Sequence, residues 1–147
     1  MMKPVLYAMK FQGKAESAGE NMLRAATSSV ANQITSTASQ SGLSTQMEQV
    51  AGEPAEFTSE VTMTGQTSMT EVGTINFGNG NSVTFSTVGE GFVSASPENG
   101  LSHGCVMWKV DSGTGQFEGA SGLITSNFTL SDAGEVNDYH FGYLWIR

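Results

Sequence analysis

Cysteine is almost absent from this chain: Cys105 stands alone, so no internal disulfide can form and nothing calls for an oxidising compartment. The expected location is the cytoplasm. Basic side chains are also few, six Lys and Arg against fourteen Asp and Glu. The resulting formal charge of −8 leaves no concentrated cationic face for a phosphate backbone, which excludes nucleic acid as an expected partner. No apolar run reaches the roughly 20 residues that cross a bilayer as a helix, so no membrane partner is expected either. The opening MMKPVLYAMKFQGK has no small-residue cleavage site after its short apolar run and reads as a strand rather than a leader. Two histidines and one cysteine match no zinc spacing, and the acids are scattered rather than set out as a calcium loop. No metal or other cofactor is expected.

What the chain has in abundance is glycine, 18 residues, together with serine and threonine, a composition that favours strands and turns over helices. Its 147 residues make one domain, long enough to bury a core without staples. The organising stretch is Lys109 to Leu130, and within it Gly113-Thr114-Gly115-Gln116-Phe117-Glu118-Gly119-Ala120-Ser121-Gly122. Glycines at both ends of this run permit two bends with a very short strand between, and Phe117 fills core space beside the bare backbone. Such a pattern belongs to a sheet forced to curl.

Elsewhere period two dominates. From Pro4 to Phe11, Val5, Tyr7, Met9 and Phe11 share a face, and Gly13 closes that strand. In 56–70, Phe57, Val61, Met63 and Met69 share one parity, with Gly65 among them as a place for a strand to bend. Gly78-Asn79-Gly80-Asn81 and Pro97-Glu98-Asn99-Gly100 mark hairpin turns. Val106, Trp108 and Val110 share a face before the glycine stretch, and 135–147 is a closing aromatic strand. Segment 15–41 is different in kind. Leu23, Ala26, Val30, Ile34 and Ala38 fall at steps of three and four, which predicts a helix, with a polar arm as the rival reading. Residues 1–147 are therefore expected to form a single all-β domain, a closed antiparallel eight-stranded calycin-like barrel, with 15–41 as a helical insertion or arm.

The run from Ser112 to Gly122 resembles the Gly-Thr-Gly-x-Phe-x-Gly-Ala-x-Gly signature of the allene oxide cyclase-like and dirigent-like barrels, and most closely a small bacterial branch of uncharacterised proteins with that barrel. The match extends from Ser102 to the C-terminus. The resemblance implies the eight-stranded barrel, a partly apolar interior and frequent homo-oligomers. Plant members of the wider group guide ring closure or radical coupling of lipophilic molecules, but their catalytic residues align with nothing here, and fold analogy is a weak warrant for function.

The residues themselves offer three places for chemistry. Asp138 and His140, two apart on the last strand, share a face and could form a carboxylate-oriented imidazole. If they point inward with Val136, Leu144 and Ile146, then Tyr139, Phe141, Tyr143 and Trp145 form an outer stripe needing cover; the opposite parity leaves the pair in solvent, as paired polar residues on a strand usually are. Glu118 is a candidate inward acid, against the commoner reading of an exposed rim residue. His103 and Cys105 also share a face, but with Lys109, which suits the outside of a barrel better than a nucleophilic pair. Met63, Phe85, Trp108 and Phe117 are the candidate ligand-contacting side chains. The expected function is binding of a small lipophilic molecule inside the barrel. A cofactor-free cyclase or isomerase using His140, Asp138 or Glu118 is the alternative, and a solid, purely structural homo-oligomeric barrel is the third reading.

Overall fold

The computed structural model describes residues 1–147. Eleven strands follow in chain order: β1 (Lys3–Gly19), β2 (Met22–Ser29), β3 (Asn32–Ser39), β4 (Gly42–Gln49), β5 (Ala55–Met63), β6 (Ser68–Asn76), β7 (Ser82–Thr87), β8 (Gly91–Ala95), β9 (Leu101–Thr114), β10 (Ser121–Ser131) and β11 (Glu135–Ile146). Eight of them close a ring in the order β1, β2, β5, β6, β7, β9, β10, β11 and back to β1, with every pairing antiparallel. The expected eight-stranded barrel is therefore present. β8 is one strand more: it lies beyond β7 in the same gap, pairing with β6 at Ser68 and Met69 and with β9 from Ser102 to Cys105. β3 and β4 form a separate hairpin, almost wholly exposed, with Leu43 at 77%.

Alternation of side chains drives this closure. Along β5, Ala55, Phe57, Ser59 and Val61 are buried while Glu56, Thr58, Glu60 and Thr62 are exposed. Along β11 the inward parity is Asp138, His140, Gly142, Leu144 and Ile146, which leaves Tyr139, Phe141, Tyr143 and Trp145 outside and 38 to 49% exposed. Each large apolar side chain turned inward contributes about 1.5–3 kcal/mol. Closing the ring removes the unpaired edges an open sheet would present.

Segment 15–41 contains no helix. It holds the end of β1, all of β2 and all of β3. Leu23, Ala25, Thr27 and Ser29 turn inward at steps of two, whereas Ala26 and Val30 of the supposed helical stripe are exposed. Serine and threonine are mediocre helix formers, and β1 and β5 flank β2 with a full ladder of backbone partners, so tertiary pairing decides the outcome. The one helical piece of the chain is a 3-10 turn, Gly115–Phe117, in place of the short strand expected there. Gly65 sits in the turn between β5 and β6 rather than inside a strand. Nor does Gly13 end β1. The strand continues through it, because a bare backbone there lets β2 pass close by.

The interior has three levels. At the end holding the β6–β7 and β9–β10 turns, Phe77 packs on Tyr7 and Phe117 with ring centroids 5.3 and 5.2 Å apart and plugs the barrel. In the middle, Phe11, Phe57, Phe85 and Trp108 are all buried around the His140 ring. The other end is hollow.

Gly73 shows how tightly the middle is drawn. A Cβ at Gly73 would lie 2.8 Å from Phe85 Cζ and 2.9 Å from Ser59 Cα, and closer still to the Thr58 carbonyl oxygen. Gly73→Ala is expected to cost about 1–3 kcal/mol, as overpacking against backbone does. Urea unfolding checks this, and a midpoint unchanged from wild type would show that the sheet has room to relax there.

Candidate functional site

The hollow end encloses a cavity of about 340 Å³. Its upper wall is mostly apolar, with Leu23, Met63, Val93, Leu130 and Val136 beside the polar Gln66, Ser94 and Ser102, and its lower part adds Phe57, Val61 and Met69. Two carboxylic acids, Glu71 and Asp138, face the same space together with Thr27 and Ser126. β6 and β11 lie four places apart in either direction round the ring, so the two acids approach from opposite walls. The small inward residues of β2, Ala25 and Thr27, leave the room between them.

Each acid is held by a hydroxyl from the strand before it. Ser59 Oγ on β5 donates to Glu71 Oε2 at 2.5 Å, and Ser126 Oγ on β10 donates to Asp138 Oδ1 at 2.5 Å. The backbone of Glu71 is clamped as well. Where β7 ends, the Thr87 hydroxyl accepts from the Glu71 N–H at 2.6 Å and donates to its carbonyl at 2.9 Å. His140 Nε2 meets Asp138 Oδ2 at 2.8 Å, and the Nε2–H tautomer makes this a donated hydrogen bond. The imidazole itself stacks on Phe11 at 4.3 Å between centroids and touches Phe57 and Trp108 edge-on.

Burial pushes the Glu71 carboxyl up to about 8, the Ser59 hydroxyl opposes this, the Asp138 charge adds to it, and the Trp108 indole N–H lowers it slightly. That N–H meets no acceptor at hydrogen-bond geometry, so its influence is that of a nearby dipole rather than a bond. Glu71 thus keeps its proton near neutrality. Burial, and after it the Asp138 charge, also lift the Tyr7 phenol well above its ordinary range. Three more polar atoms are buried inside the barrel without partners: Tyr7 Oη, Thr27 Oγ1 and His140 Nδ1, of which Thr27 reaches the cavity.

The candidate residues read from the sequence fall in different places. Asp138 and His140 are brought together, inward and buried, and Asp138 reaches the cavity. Met63 lines the upper wall. Phe85 and Trp108 lie in the aromatic cluster below the cavity, and Phe117 plugs the far end. Glu118 is exposed in the β9–β10 turn, away from the cavity. His103 and Cys105 are exposed on the outer face of β9. No three His, Cys, Asp or Glu side chains gather where they could hold a metal. Glu71 is the residue the sequence reading missed. Its signal was an acid among Met69, Gly73 and Ile75, the inward parity of β6.

The eight-stranded closed antiparallel barrel expected from the Ser112–Gly122 resemblance is there, while no family model, no curated protein and no solved structure matches the chain.

Proposed function

We propose that the barrel is a receptacle for one small, largely apolar molecule, which enters between the β1–β2, β5–β6 and β10–β11 turns and rests above the aromatic cluster. The observation that carries this reading is the cavity itself: about 340 Å³, within the range of small-molecule sites of about 300–1,000 Å³, apolar-walled with a few convergent polar groups. A barrel of eight strands can be filled by its own side chains. This one is filled at one end and hollow at the other, which favours a receptacle over a purely structural barrel.

The test is native mass spectrometry of the protein purified from the cells that make it, followed by release of whatever is bound. One small apolar molecule per chain is the expected result. The control is Ala25→Phe, which projects a ring into the cavity from β2 and is expected to reduce occupancy at least tenfold while the barrel stays folded by circular dichroism. Undiminished occupancy in Ala25→Phe would place the molecule elsewhere and defeat the reading.

A second reading, proton transfer without a cofactor as in a cyclase or isomerase, is favoured by one observation: Glu71, an acid that keeps its proton, faces the same space as Asp138. Incubating the released molecule with fresh protein and finding its chromatographic retention unchanged would remove this reading and leave the receptacle.

A further inference from the structure

We propose that the occupant of the cavity is a lipophilic amine, an apolar skeleton bearing one protonated primary or secondary amino group seated between Glu71 and Asp138. The inference rests on the receptacle reading and adds to it the chemical class of the molecule. It follows from a count of what the polar end of the cavity offers. The donors that neighbour the two acids are already committed, the Ser59 hydroxyl to Glu71 and the Ser126 hydroxyl and His140 Nε2–H to Asp138; the Thr27 hydroxyl and the proton that Glu71 itself carries stay uncommitted. Once Glu71 gives up its proton, both acids offer the cavity acceptor capacity. Glu71 Oε1 takes part in no hydrogen bond, and each carboxyl oxygen has more than one lone pair. Thr27, 4% exposed with its Oγ1 unpartnered, adds a hydroxyl on the cavity wall that can accept from an ammonium group.

Charge points the same way. No lysine or arginine lines the cavity, and all six basic residues lie on outward or exposed positions. The interior therefore holds two carboxyl groups with only His140 as a basic neighbour. A ligand carboxylate would add a third acid to that space, and a hydroxyl would satisfy acceptors without answering the charge. An ammonium group supplies two or three donors and the missing cation, and its apolar remainder matches the wall of Leu23, Met63, Val93 and Leu130.

The arrangement has a consequence in protons. An ammonium ion beside Glu71 favours its ionised form, so binding near neutral pH drives the proton off. The groups that act on Glu71 are the Ser59 hydroxyl from β5, Asp138 from β11, with His140 behind it, and the Trp108 N–H from β9, while the Tyr7 phenol on β1 feels Asp138 and lies outside the cavity wall. Among them Glu71 is the acid displaced upward to a value near 8. Below that value affinity for an amine rises with pH by up to about tenfold per unit, and above it the dependence flattens.

The experiment compares 1-octylamine, 1-octanol and octanoate by isothermal titration calorimetry, in buffers of different ionisation enthalpy between pH 6 and 8. Octylamine is expected to bind at least tenfold more tightly than the other two and to release close to one proton at pH 7. Glu71→Gln, which copies the protonated acid in shape, is expected to fold and to bind octylamine without proton release or the pH slope. Octanol or octanoate binding as tightly as octylamine would overturn the amine assignment and leave the receptacle standing. No binding by any of the three would take both down. Octylamine binding that survives Ala25→Phe would reveal adsorption to the acidic outer surface and also overturn the proposal, as would an unchanged pH slope in Glu71→Gln.

Discussion

Replacing Glu71 by Gln is expected to stabilise the protein above pH 5, by an amount that grows with pH to about 3–5 kcal/mol at pH 8 and beyond. The sign follows from where the proton sits. A carboxyl with an ordinary value of 4.5 is held at about 8 in the folded chain, mainly by burial. Below pH 4.5 both the folded and the unfolded chain carry the proton, and the acid costs nothing. As pH rises from 4.5 to 8 the unfolded chain gives up its proton while the native one retains it, so wild-type stability falls by about 1.4 kcal/mol per unit. Above 8 both states are ionised and the loss is complete. Glutamine is neutral throughout and keeps an oxygen for the Ser59 hydroxyl. Titrating groups away from the cavity act alike in both proteins and cancel in the difference, and the repulsion between Asp138 and an ionised Glu71 is part of what the glutamine removes. Urea midpoints of the two proteins at pH 5, 6, 7, 8 and 9 check this, and curves that run parallel would mean that Glu71 is not held protonated. An acid that weakens the fold at physiological pH, where an amide would strengthen it, fits a residue kept for what it binds.

Much of the barrel was legible because its signals are local. Asn-Gly turns at Asn79-Gly80 and Asn99-Gly100 announce hairpins wherever the strands finally lie, and the alternation in 135–147 is long enough to place Asp138 and His140 on one face with the aromatics on the other. β2 was not legible. Its inward face is Leu23, Ala25, Thr27 and Ser29, and two hydroxyl residues among four blur a period of two, while Ala26, Val30 and Ile34 happen to fall at helical steps. The same small residues that disguise the strand create the cavity. The aromatic cluster was hidden for another reason. Phe11, Phe57, Phe85 and Trp108 come from four strands, and their meeting depends on ring order and register, neither of which any short window contains. Glu71 was readable in principle, as the one charge on the inward parity of β6. The run 56–70 stops one residue short of it, although Glu71 continues the parity of Phe57, Val61, Met63 and Met69.

Phe57→Ala is expected to cost about 3–5 kcal/mol, the range for emptying an aromatic site in a packed core. Phe57 is 2% exposed and packs on Phe85 and Trp108 at 5.5 Å, His140 at 5.4 Å and Phe11 at 6.1 Å between centroids. It also forms part of the cavity wall, so truncation joins the cavity to the aromatic cluster beneath it. For a domain whose whole stability is about 5–15 kcal/mol, this is a large fraction, and the melting temperature should fall by about 10 °C. Phe57→Leu, which keeps most of the volume, should lose less than half as much. The void opened by alanine would be bounded by Phe11, Phe85 and Trp108 as well as by the polar His140, and apolar voids of this kind take up benzene rather than water. Added benzene is therefore expected to raise the melting temperature of Phe57→Ala and leave that of Phe57→Leu almost unmoved, since a ligand that binds only the folded state stabilises it by mass action. A loss below about 1 kcal/mol in Phe57→Ala would mean that the cluster closes over the gap. The cavity would then be a pliable space, and its shape could not select what it holds. A full loss with recovery in benzene would mean that the aromatic cluster is rigid, and a rigid floor is what fixes the depth at which Glu71 and Asp138 meet an incoming molecule.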